Sequence, residues 1–299
     1  MLVGESPWKD AWRLVAWGPY PKLLSALPRG VDVAVNERLG RVARRAAPAL
    51  GRQIRSAMCA SLGDRPSVDR WVSDAFAIHF ANQYVGPIFA KINTQNVHHW
   101  VRFEGLDRLD LALANGGVVV AHAHLALPQL PLHALGVLGY PVHQVAGGRT
   151  AVERSALGDW ASSRREAFEA DIAATLHDGR RYLRPLIRAL RAGEVVFTAC
   201  DGTGGGRELG RREPRVVLGR PMAIPVFPGW LAAQADATLL SLQVRRGTKT
   251  PIEAVFDAVP VARATDVLAS HLDAWVRARP GEWHFWHAMH AGSGGLLLA

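Results

Sequence analysis

Short β-branched apolar runs alternate with stretches of helical periodicity through the last two thirds of the chain. Residues 117–121 (GVVVA) and 194–199 (EVVFTA) read as fully buried strands, since a strand covered on both faces needs apolar side chains at consecutive positions. Shorter strands fit residues 100–103, 141–145, 216–218, 223–227, 239–244 and 252–256. Between them, helical spacing marks 106–114 (ended by Gly116 and Gly117), 124–138, and segments around 157–170, 180–192, 229–236 and 265–277, with a turn at 147–149. Ahead of these, residues 31–62 and 67–93 carry the spacing of two helices. Ser67 stands as an N-cap to a stripe of Trp71, Val72, Ala75, Phe76, Ile78, His79 and Phe80. Residues 1–28 form short amphipathic pieces that hold Trp8, Trp12 and Trp17 and are broken by Pro7, Pro19, Pro21 and Pro28. The pattern predicts an α/β protein: a central, mostly buried mixed sheet covered by helices on both faces, with an N-terminal helical extension. Residues 1–95 are expected to form that extension, packed on a core of residues 96–299 in one compact domain.

Composition narrows the class. Of 299 residues 49% are apolar and 20% charged, which excludes disorder, collagen and coiled coil. Cys59 and Cys200 are too few for a disulfide framework or a four-thiolate zinc site, and read as buried small apolar side chains. The net charge of +9 is uneven: residues 1–60 hold ten basic and four acidic residues. That excess attracts phosphate, and an anionic membrane surface is one expected partner of residues 1–60. Nucleic acid is not expected. The first residues lack the apolar core of a secretory signal. The stretch 111–148 carries no Asp, Glu, Lys or Arg, but its four histidines and three prolines fit a buried strand–helix–strand unit better than a membrane span. The expected location is cytoplasmic, at most peripheral on the inner membrane face.

The polar residues of interest follow the buried strands, where open α/β sheets place their sites. His122 and His124 follow GVVVA, Arg149 follows PVHQV, and Asp201 follows EVVFTA and opens the loop GTGGG that contains Gly204 and Gly205. No G-x-S-x-G elbow, P-loop or G-x-G-x-x-G follows a strand.

Five blocks in order then resemble one family. GVVVAHAHLALPQL resembles the block of the lipid A lauroyl/myristoyl-type acyltransferases, within the lysophospholipid acyltransferase superfamily, that has a buried strand followed by His-x4-Asp/Glu. WVRFEGLDRLDLALANGG precedes it, and GYPVHQVAGGR, LRAGEVVFTACDGTGGG and the closing RPGEWHFWH follow, so the resemblance covers about residues 98–290. It implies transfer of an acyl group from acyl-CoA or an acyl-carrier protein to a hydroxyl or amine. It implies no cofactor beyond the thioester co-substrate and no metal. It places the general base on His124 and the family's acid on Gln129, which has no charge to give. An amide for the acid of a Ser-His-Asp triad costs ~10⁴ in rate. Asp201, at a neighbouring strand end, is the expected substitute. His122, Arg149, Arg164, Gly204 and Gly205 are the candidate substrate contacts, with Arg165 beside Arg164.

Two other readings stay open. The amide at Gln129 also suits a catalytically reduced member that binds an acyl chain or carrier without turnover. His122-x-His124, with Asp201 and His284, His287 or His290, has the residue types of a metal hydrolase site.

Overall fold

A computed structural model describes residues 7–146, 155–178, 183–202 and 210–289. Five helices lead the chain: α1 (Pro7–Trp17), α2 (Pro19–Ala26), α3 (Val31–Ala46), α4 (Pro48–Leu62) and α5 (Val68–Gln83), with a one-turn α6 (Gly86–Phe89) after them. The single helix expected over 31–62 is two, because Pro48 lacks the amide that would continue α3 and instead occupies the first turn of α4. Likewise 67–93 divides into α5 and α6, and the Ser67 hydroxyl makes no capping bond.

The α/β part follows as β1 (Val101–Glu104), α7 (Leu106–Asn115), β2 (Val118–His122), α8 (Gln129–Val137), β3 (Val142–Ala146), α9 (Ala156–Glu169), β4 (Thr175–Asp178), α10 (Arg184–Arg191) and β5 (Val195–Ala199). Then come β6 (Arg212–Val217), β7 (Arg220–Pro225), α11 (Phe227–Ala235), β8 (Thr238–Arg246), β9 (Ile252–Ala258) and α12 (Ala264–Ala278). Seven strands form one sheet in the order β1-β9-β8-β2-β5-β3-β4, parallel except for the β8–β9 pair; β6 and β7 form a separate antiparallel ribbon. The mixed, helix-covered sheet is the architecture the sequence predicts.

Side-chain alternation divides the core in two. Val119, Ala121, Val196 and Leu239 face one layer with α4, α5, α11 and α12, while Val118, Val120, Val195, Phe197 and Leu240 face the other with α7 and α8. The first layer also takes Met58, Val72, Trp283 and Trp286, so the N-terminal helices and the closing segment share one side of the sheet. A smaller cluster seats Trp17 and Leu24 against Tyr84 and Ala161.

Two differences from the sequence pattern bear on the site. The helix expected over 124–138 begins only at Gln129, and residues 123–128 are irregular, with Ala126 at φ 51°. Their backbone is engaged elsewhere: Leu125 bridges Trp283, and the Ala126 amide donates to the Glu282 carbonyl at 2.9 Å. β4, which the sequence pattern does not mark, is a four-residue edge strand whose Thr-Leu-His-Asp lacks an apolar run.

Candidate active site

β2 and β5 are parallel and adjacent at the centre of the sheet, with Val118 opposite Val195 and His122 opposite Ala199. Past the last pair, the Cys200 amide donates to the His122 carbonyl at 2.8 Å, which holds the two chains together one step further. His124 and Asp201 then meet at the carboxyl ends of these strands. Asp201 Oδ1 lies 2.7 Å from His124 Nδ1, and Asp201 Oδ2 accepts the His124 backbone N–H at 2.8 Å. A third donor, the Trp283 indole N–H, reaches Oδ2 at 3.0 Å.

The electrostatics follow from this donor set. Asp201 is fully buried, and burial by itself raises a carboxyl pKa. The charge of His124, its ring and backbone N–H groups and the Trp283 N–H outweigh that effect and hold Asp201 below the ordinary carboxylate value. The group is therefore an anion inside the protein. Whenever the ring is neutral, an anion at Nδ1 keeps its proton on Nδ1 and leaves Nε2 as the acceptor. The His124 side chain is 31% exposed, whereas its partner Asp201 is fully buried.

A closing segment packs around the histidine. The His284 amide donates to the His124 carbonyl at 3.0 Å, and the Phe285 ring centroid lies 4.5 Å from that of His124. Glu282 anchors this segment from beneath, accepting the Arg246 amide at 3.0 Å and the Arg279 guanidinium at 3.1 Å.

A histidine just past a strand end and a buried acid, with a Trp-rich closing segment packed against them, thus meet on a mixed α/β sheet. The sequence profile of the bacterial lipid A biosynthesis acyltransferases matches residues 14–290. The chain belongs to that family. A comparison with curated proteins finds no match. The family match starts inside α1, whereas the sequence blocks begin near residue 98, so it covers α2–α5 as well.

The other expected site residues of this acyltransferase are dispersed. Gln129 opens α8 and lines a small crevice with Trp17, Asn82 and Arg165; no hydrogen bond joins it to His124. The acid's place at Nδ1 is filled by Asp201 instead. His122 is buried against Phe197, with Nδ1 3.2 Å from the Ala123 carbonyl, and burial together with the neighbouring His124 charge pushes its pKa down to about 4. It sits below His124 as a neutral ring and does not open to solvent. Arg164 stacks over the Phe168 ring at 5.6 Å, and Arg165 pairs with Glu169 at 2.6 Å. No hydrogen bond takes Arg164 to the His124–Asp201 pair. Arg149, Gly204, Gly205 and His290 lie outside the described residues.

His284 Nε2 is 2.7 Å from the Ala126 carbonyl oxygen, and among the described residues no group of three or more His, Cys, Asp or Glu could hold a metal ion. Trp283 is the residue that sequence reasoning passes over. It lies 82 positions after Asp201, and only the W-x-x-W spacing of the closing segment marks it.

Proposed function

We propose that this acyltransferase moves an acyl group from a thioester, acyl-CoA or an acyl-carrier protein, to a hydroxyl or amine acceptor, with His124 as general base. The His124–Asp201 pair is the observation that carries this reading. The acceptor O–H or N–H gives its proton to His124 Nε2 as the oxygen or nitrogen attacks the thioester carbonyl carbon. The tetrahedral intermediate collapses with cleavage of the C–S bond, and the imidazolium returns the proton to the departing sulfur. Asp201 stabilises the imidazolium formed in between and keeps the ring from turning.

The catalytically reduced alternative rests on the amide of Gln129 standing where the family has an acid. A buried carboxylate on His124 supports the active reading over it. Following release of free thiol from an acyl thioester across hydroxyl and amine acceptors tests the reading: turnover that disappears in His124→Ala supports it, and binding without turnover sinks it.

The α1–α2 pair supports a peripheral role at an anionic membrane surface. Trp17 is buried in the fold, but Trp12, Leu14, Val15 and Leu23 are exposed at 47%, 47%, 51% and 63%. Such residues beside lysine and arginine suit shallow insertion into a headgroup layer. Among the described residues no helix is long and apolar enough to cross a membrane. A cytoplasmic position on the inner membrane face fits this reading. Loss of vesicle binding in Trp12→Ser/Leu23→Ser would support it, and unchanged binding would argue against it.

A further inference from the structure

A groove of about 660 Å³ lies between α3, α4 and the start of α5, away from His124. Five guanidiniums line it, from Arg41, Arg44, Arg45, Arg52 and Arg55, against one carboxylate, Asp69. Three of the five are held by acids: Arg41 by Asp74 at 3.2 Å, Arg44 by Asp69 at 3.0 Å and Arg55 by Asp64 at 3.0 Å. Arg45 and Arg52 are exposed and have no acidic partner among the described residues. The first turn of α4 opens on the same groove at Pro48, and Ala47 before it offers no side chain to cap the helix. Unpaired arginines and an uncapped helix start both favour an anion with several oxygens, and guanidinium forks match phosphate in particular.

The helices that wall this groove also reach the reaction centre. Leu50 and Ile54 of α4 and Phe76 of α5 line a second cleft of about 70 Å³, whose other wall includes Trp283 and His284. Trp283 donates to Asp201, and the His284 amide donates to the His124 carbonyl. Gln53 ties α4 to the His287 carbonyl at 2.9 Å. A cationic basin and an apolar cleft on the same two helices suit a donor whose phosphates sit apart from its reactive end.

We propose that this groove binds the nucleotide phosphates of a coenzyme A-type thioester. The inference rests on the thioester reading above and assigns the donor's phosphate site within it. The groove's volume, about 660 Å³, is of the size that small-ligand sites have. Four exposed large apolar residues, Trp12, Leu14, Val15 and Leu23, lie on α1 and α2, whereas Val42 is the one exposed large apolar residue among the groove's described lining.

Calorimetric titration of the full chain with adenosine 3′,5′-bisphosphate reads the groove without any turnover. Saturable binding is expected, weakening as salt rises, and falling about tenfold or more in Arg45→Ala/Arg52→Ala. No binding, or the same affinity in the double variant, would overturn the proposal. So would loss of anionic-vesicle or carrier-protein binding in the double variant when the bisphosphate does not bind the unaltered chain. In turnover, KM for acyl-CoA should rise about tenfold while KM for the nucleotide-free acyl-pantetheine stays constant; equal changes for both would count against the site. A chain that binds the bisphosphate through Arg45 and Arg52 but consumes no thioester would keep this site and refute the transfer reaction.

Discussion

Asp201 grips His124 twice, through the ring Nδ1 at 2.7 Å and the backbone amide at 2.8 Å. A single carboxylate thus sets both where the residue starts and where its ring points. The third bond, from Trp283, completes the set of donors around a fully buried anion.

Trp283→Phe keeps an aromatic ring of similar shape and removes that third donor. A hydrogen bond to a buried charge contributes about 1.5–3 kcal/mol. The variant should unfold at lower temperature and turn over about tenfold more slowly or worse, measured by thermal unfolding and thiol release. Wild-type values in both would mean that the indole N–H is dispensable.

Gln129→Ala should cost less than about tenfold in kcat, because removing a side chain that makes no bond to the base leaves its tautomer unchanged. A much larger loss at constant stability would return the acid's place to position 129.

Acid should destabilise the protein well above the carboxylate range. Burial pushes His122 and His133 down to about 4 and His284 to about 3, so all three are neutral in the fold at pH 5. In the unfolded chain they take up protons from about pH 6.5. The unfolded state therefore binds more protons between about 6.5 and 4, and stability is lost as pH falls through that window. The lowered carboxyl of Asp201 adds a further loss below its ordinary pKa, near 3.9. Unfolding midpoints recorded from pH 8 to 4 should drop steadily below about 6.5; a flat profile down to pH 5 would contradict neutral burial.

Gly117→Ala probes the sheet arrangement itself. A methyl group there would collide with the Leu190 carbonyl at the end of α10, which crosses close to the start of β2. The substitution should cost about 2–4 kcal/mol in denaturant unfolding. A neutral result would place α10 elsewhere.

The buried strands are the legible part of the sequence, because GVVVA and EVVFTA are short, β-branched apolar runs of the kind a doubly covered core strand needs. Their adjacency was not written there: it depends on a strand order in which β5 sits beside β2 with β3 beyond it. Reading His124 and Asp201 as strand-end residues sufficed to suspect the pair, and the register between β2 and β5 turns that suspicion into contact. Trp283 escaped because a buried donor leaves no periodic trace. Residues 124–128 looked helical because apolar spacing does not reveal that their backbone serves the closing segment. The arginines of α3 and α4 showed only as excess charge until the helices folded them around one groove.

The central claim is that His124 takes the acceptor's proton while Asp201 holds it in place as an anion. The most direct measurement is the rate of thiol release from an acyl thioester, with acceptor present, for the unaltered chain, His124→Ala and Asp201→Asn, each first confirmed as folded. Transfer should vanish in His124→Ala and fall about 10³–10⁴-fold in Asp201→Asn, where the amide presents the wrong partner to Nδ1. Full activity in folded His124→Ala would contradict the account.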